Sequence, residues 1–128
     1  MPEFTITIDA TEIWVDTGLD LKGSATLEIE VVSGTWTANP ENGMVDANGH
    51  PGLIAKEGYN LPMAVEGLLV GRLGPSTPAF TFPVGSGCTI GPGLAGEVYL
   101  SINDDINGRY GAGFTDNKGS LNVRLKTA

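Results

Sequence analysis

The feature that most constrains this chain is a side-chain alternation of period two that returns in segment after segment. Phe4, Ile6 and Ile8 alternate with Thr5 and Thr7, and Ala25, Leu27, Ile29 and Val31 alternate with Thr26, Glu28 and Glu30. Towards the C-terminus Val98, Leu100 and Ile102 interleave with Glu97, Tyr99 and Ser101. Leu121, Val123 and Leu125 do the same with Asn122, Arg124 and Lys126. Successive side chains of an extended chain point to opposite faces, so each run turns one set to a core and the other to water. No window of about 11–18 residues carries a helical repeat. Asn-Gly at 42–43, 48–49 and 107–108, "GPSTP" at 74–78 and "GPG" at 91–93 separate the runs. The 19 glycines and 8 prolines are spread along the chain, so no linker stands out. Many short strands divided by turn chemistry predict an all-β fold, a sandwich or jelly roll. The run "AVEGLLVGRLG" (64–74) is more continuously apolar and predicts a central strand covered on both faces. Its glycines, Gly67, Gly71 and Gly74, argue against a helix.

A chain of 128 residues reads as one domain, 1–128, large enough to bury a single core. Its 15 acidic residues against 7 basic ones give a formal charge of −8, which repels phosphate backbones. Nucleic acid and anionic membrane are therefore poor partners, and no stretch approaches the roughly 20 apolar residues of a membrane-spanning helix. Cys88 is the one cysteine, so no intramolecular disulfide is expected; "VGSGCTIG" reads as a buried or half-buried strand thiol. The start, "MPEFTITIDA", lacks a basic region followed by an apolar one. Cytoplasmic synthesis without a signal peptide is expected, with release or surface action by another route, or membership of a larger protein, left open.

Two segments carry the chemistry. In "YLSINDDINGRYGAGFTDNKGSLNVRL" (99–125) a loop holds Asp104, Asp105, Asn107, Asp116 and Asn117 between two alternating runs. If 98–102 and 120–125 pair as a hairpin, the ends of that loop come together and Gly108, Gly111 and Gly113 let carbonyls turn inward. Crowded carboxylates and amides of this kind suit calcium, which takes roughly 6–8 oxygen ligands. The spacing is not that of an EF-hand. On residue types alone a calcium cage and a solvated hairpin loop stand equal. The second segment, 33–62, is long and rich in Asn and Gly, and Trp36, Met44 and Tyr59 are available to pin it down; an ordered, functional loop is expected. It contains His50, the only histidine, which by itself reads as a surface or turn residue. Zinc would need more His or Cys than the chain owns. No Gly-x-Ser-x-Gly elbow and no phosphate-binding loop occur, so catalysis is not expected.

Taken together, "SGTW" (33–36), "HPGLI" (50–54), "EGLLVGRLG" (66–74), "FPVG" (82–85), "AGEVYLSIND" (95–104) and "DNKGSLNV" (116–123) resemble the PA-I galactophilic lectin family in order and approximate spacing, over essentially the whole chain. These are small calcium-dependent, galactose-binding bacterial lectins. The resemblance implies a jelly-roll-like β-sandwich of two curved antiparallel sheets. It also implies one calcium at the apex, coordinated by two adjacent sugar hydroxyls. Asp104 matches an aspartate that binds calcium and sugar, and Asn117 a calcium-ligating asparagine. Asp116 stands where the family commonly has an asparagine touching both. His50 matches a histidine that contacts the sugar. A carbonyl from 37–39, best matched at Ala38, and one from 109–111, taken at Arg109, complete the implied metal shell. Asp105 and Tyr110 are assigned to the sugar with His50, Asp104 and Asp116.

Two departures stand out. The loop between Asp104 and Asp116 is longer than the family's, and the family's glutamine after the histidine is missing, with Asp46 or Asn48 the available substitutes. Galactose-type glycans are the expected partner, and a homo-oligomer is expected because a single shallow sugar site gains avidity by repetition. A calcium-stabilised interaction module without sugar affinity is the alternative. A hydrolase using His50 and a nearby acid ranks third. Trp36 and Phe114 read as anchors for the loops, and Trp14 as structural.

Overall fold

Every alternating run becomes a strand. A computed structural model describes residues 3–74 and 80–127; the 74–78 turn, beyond Gly74, lies outside them. The described strands are β1 (Glu3–Asp9), β2 (Val15–Lys22), β3 (Leu27–Thr37), β4 (Leu69–Gly74), β5 (Phe80–Pro83), β6 (Gly87–Ile90), β7 (Ala95–Ile102) and β8 (Lys118–Thr127). Short 3-10 turns at Pro40–Asn42 and Gly113–Asp116 are the only helical elements among the described residues. All strand pairs are antiparallel and form two four-stranded sheets, ordered β1-β8-β3-β6 and β2-β7-β4-β5. This is the all-β sandwich that the alternation predicts.

The core lies between the sheets. Ile8, Leu27, Ile29, Leu121, Val123 and Leu125 from the first sheet join Leu21, Leu69, Leu73, Val98, Leu100 and Ile102 from the second in one buried cluster. Each such side chain stabilises the fold by roughly 1.5–3 kcal/mol through burial, far more than the exposed Lys22–Asp20 ion pair on the surface. Cys88 sits half-buried in β6, where burial pushes its thiol pKa up, as its apolar neighbours suggest. Trp14 lies half-buried at the surface of the second sheet, with the Arg72 guanidinium held between its ring and that of Tyr99 at 5.1 and 4.8 Å.

The structure corrects two expectations. The strand within 64–74 begins only at Leu69, although it is an inner strand whose Leu69, Val70 and Gly71 are all buried. Residues 64–68 instead make isolated bridges, Val65 to Ile54 and Leu68 to Asn48. More consequentially, β7 and β8 do not pair. β7 lies between β2 and β4, and β8 between β1 and β3, in opposite sheets. A period-two pattern reports which face of a strand is buried, not which strand is its neighbour, and two strands facing one core from opposite sheets look identical in sequence.

That topology creates the site. Thr37 at the end of β3 pairs with Lys118 at the start of β8, and Leu69 at the start of β4 pairs with Ile102 at the end of β7. The crossovers 38–68 and 103–117 therefore both leave and re-enter the sandwich at the same end. The two polar segments singled out in the sequence meet there.

Candidate functional site

The site is built outward from the end of β7. Asn103 is fully buried: its amide Nδ2 donates to the carbonyls of Leu61 and Val65 at 2.9 and 3.1 Å, and its Oδ1 accepts from Leu61 N–H at 2.9 Å. Asn60 works in the reverse direction. Its Nδ2 donates to the Ile13 carbonyl and the Ser101 hydroxyl, and its Oδ1 accepts from Asp104 N–H at 3.0 Å. These two amides fasten one crossover to the other and fix the backbone from which Asp104 projects. A bridge between Tyr59 and Asp105 continues the seam.

Beyond that point the loop spends its donors on itself. Asp105 N–H donates to Asp104 Oδ1 at 2.7 Å, and Tyr110 N–H to Asp105 Oδ2 at 2.6 Å. Asn117 uses its Nδ2 on the Ala10 carbonyl at 2.8 Å. Three buried oxygens are left with no hydrogen-bond donor: Asp104 Oδ2, Asp105 Oδ1 and Asn117 Oδ1. Asp104, Asp105 and Asn117 are only 3, 3 and 4% exposed, so bulk water does not solvate them freely. Buried acceptors without donors are costly, and two of these belong to carboxylates. Burial pushes the Asp104 pKa up to about 7; the Asp105 N–H and the Asn117 amide oppose the shift, while the charges of Glu66 and Asp116 add to it.

A cavity of about 80 Å³ opens beside these groups. Asp104 and Asp105 form its floor side, Ala38 and Asn39 come from the first crossover, and 110–113 and Asp116 from the second. Tyr59 and Glu66 close it, with the Tyr59 hydroxyl donating to Glu66 Oε1 at 2.6 Å. Desolvation and Glu66 together push the Tyr59 phenol pKa up. The donor atoms are oxygens throughout, which suits a hard cation such as calcium and not a thiophilic one. Among the described residues no group of three or more His, Cys, Asp or Glu side chains is arranged to hold a metal. A bound ion would have to draw on the Asn117 amide and on backbone carbonyls as well. With three donorless oxygens already present, the residue set fits that requirement.

Of the residues named from the sequence, Asp104, Asp105, Asp116, Ala38 and Tyr110 line the cavity, and Asn117 is buried in the same loop. Tyr110 is 46% exposed and its hydroxyl donates to the Glu57 carbonyl at 3.0 Å. Arg109 does not line the cavity: it is exposed, with its guanidinium beside Gly58, and of the expected 109–111 stretch Tyr110 and Gly111 line it, followed by Ala112 and Gly113. His50 does not line the cavity either. It is 3% exposed and packs against Gly67 behind the wall, its Nε2 accepting from Ala38 N–H at 3.4 Å and lying 3.3 Å from the Thr37 hydroxyl. Burial lowers the His50 pKa, with Glu66 opposing, which favours the neutral ring that accepts from Ala38 N–H. Asp46 and Asn48 cap turns, Asn48 Oδ1 accepting from Ser86 N–H, and neither reaches the cavity. Trp36 and Phe114 are buried anchors, Trp36 Nε1 donating to the Gly67 carbonyl at 2.8 Å.

Glu66, Asn60 and Asn103 were given no role from the sequence, and Asn39 only as part of the 37–39 stretch. Glu66 had a signal, being the one acid inside the apolar run 64–74. Asn103 follows directly on the last inward residue of β7, but nothing in sequence distinguishes it from an ordinary loop asparagine.

A larger groove of about 530 Å³ crosses the outer face of the first sheet. Arg124 there is paired with both Glu3 and Glu30, and none of the buried oxygens without a donor lies in it. The small cavity, not the large groove, carries the unsatisfied chemistry.

No protein-family model matches the chain, and no curated protein matches it. Among solved structures it is similar to the EclA N-terminal domain, described as a PllA-like lectin. The TM-score is 0.70 at 22% identity, over 97% of this chain and 95% of that one. The likeness is one of fold: a two-sheet β-sandwich spanning nearly the whole of both chains.

Proposed function

We propose that this protein is a non-catalytic, calcium-dependent lectin that binds galactose-type sugars at the apex of its sandwich. The observation that carries the reading is the set of three buried oxygens without donors on the 103–117 crossover, beside a cavity lined by four carboxylate side chains. The lectin described for the similar structure, and the resemblance of the motifs to galactophilic lectins, supply the sugar. Asp104, Asp105 and Asn117 would hold the ion, with Asp116 and the Ala38 carbonyl at its edge. Calcium bound there supplies a double positive charge and coordination positions that neighbouring sugar hydroxyls can fill. Around it, Asp116 accepts hydrogens from those hydroxyls, and Tyr110 offers an aromatic face to the C–H side of the ring. His50 acts from behind by holding Ala38.

Calorimetric titration of galactose, once with calcium and once after chelation, tests this. Heat only in the presence of calcium is expected; heat that persists in chelator would remove the ion from the recognition step.

One observation favours a second reading. The donorless oxygens are almost wholly sealed, and the cavity is small, as suits an ion that only braces the two crossovers. In that case calcium raises the melting temperature, and no monosaccharide in a broad panel raises it further.

A further inference from the structure

Glu66 reaches the cavity from the first crossover, on the side opposite the calcium-type loop. Its backbone is fixed at both ends: Glu66 N–H donates to the Leu53 carbonyl at 2.8 Å, and His50 N–H to the Glu66 carbonyl at 2.8 Å. Its one side-chain hydrogen bond among the described residues comes from Tyr59, onto Oε1, which holds the carboxylate in the wall and leaves Oε2 to whatever enters. The wall thus contains four carboxylates, Glu66, Asp104, Asp105 and Asp116, and no Lys, Arg or His. Lys56, over the Tyr110 ring, and Arg109, beside Gly58, lie outside it. One divalent ion balances two of the four charges and leaves two negative charges facing the ligand. The three donorless oxygens belong to the opposite loop, and Glu66 is not among them.

We infer that Glu66 makes this site select sugars by charge, favouring a unit that carries a free ammonium group over its neutral parent and disfavouring uronic and sialic-type acids. The inference rests on the lectin reading above. A carboxylate held at fixed distance in a partly dry wall attracts an ammonium group and repels a carboxylate on the ligand, and it accepts hydroxyl hydrogens from a neutral sugar without discriminating among them.

The test is the affinity of galactosamine, methyl galactoside and galacturonate in calcium at neutral pH, for the wild type, Glu66→Gln and Glu66→Asp. Within each protein the readout is the ratio of amine to acid affinity, which is independent of any overall loss. The wild type is expected to favour the amine over the acid by about tenfold or more. Glu66→Gln should bring the ratio down several-fold, and Glu66→Asp, which keeps the charge, should retain most of it. The calcium-induced rise in melting temperature, read without sugar, should persist in both variants. An unchanged ratio in Glu66→Gln, or a wild type that prefers the acid, overturns the inference while leaving the lectin reading in place. Loss of the calcium response in Glu66→Gln also overturns it, by making Glu66 a metal ligand. If none of the three sugars binds in calcium, the lectin reading fails and the inference falls with it.

Discussion

At the scale of single residues, Asp104 is under two opposed demands. Its burial disfavours charge, yet the chemistry proposed for it needs a carboxylate. In the metal-free protein its pKa is raised from 3.8 to about 7 by that burial. The sign follows: the folded state keeps a proton that the unfolded chain loses, so this group's contribution to stability is fully present below about pH 3.8 and is lost as pH rises through about 7. Melts in chelator at pH 5 and pH 7.5 should show that decline, and Asp104→Asn should flatten it. Calcium competes with the same proton, so its affinity should climb with pH up to about 7 and then level. Asp104→Asn is expected to weaken calcium binding by about tenfold or more, while raising the melting temperature in chelator at pH 7.5. Opposite signs with and without metal separate a ligand from a merely structural acid. Asp104 and Asn117 were legible in the sequence because short oxygen-bearing side chains crowd one loop. The donorless oxygen of Asp105 was not, since it depends on where the Tyr110 N–H points.

At the scale of elements, the crossovers are held by buried amides as well as by apolar anchors such as Ala47 and Phe114. Asn103→Ala removes three hydrogen bonds and leaves the Leu61 N–H without its partner, and should cost about 1–3 kcal/mol in denaturant unfolding. Calcium affinity should fall with it, because Asp104 is the next residue along. Gly119 is the corresponding point on the other side. Its φ is +87°, and a Cβ there would meet the Thr35 carbonyl oxygen at 2.3 Å, backbone that has no room to move. Gly119→Ala is therefore expected to destabilise by more than about 2 kcal/mol, and to disturb Asn117 two residues earlier. The positions of β1, β3, β7 and β8 were readable from alternation, whereas β2, β5 and β6 carried no such run. Strand partners were not readable from it: β7 and β8 each satisfy a half-buried pattern equally well as hairpin neighbours or as members of facing sheets. The glycine-rich loop after Asp105 gave no sign that Ala112 and Gly113 would line the cavity and Arg109 would not.

At the scale of the whole molecule, calcium should act as a brace between two crossovers that the fold places at one end. Saturating calcium, at about a thousandfold over its dissociation constant, is expected to add roughly 4 kcal/mol to stability, seen as a higher melting temperature that chelator reverses. Exposed Val32, Ile54 and Met63, at 48, 54 and 82%, leave apolar surface for assembly, and sedimentation at micromolar concentration should show a species heavier than the monomer. A clean monomer would overturn the expected homo-oligomer. What the sequence determined by itself is the class of structure and its stock of chemistry. Period-two alternation can bury an apolar face only as sheet, and two Asn- and Asp-rich segments between such runs can only be connections. The tertiary structure alone decided that those connections share one end of the sandwich, that Glu66 faces Asp104 across a cavity, and that His50 stands behind its wall. Those are relations between residues far apart in the chain, set by which strands share a sheet, and no local pattern records them.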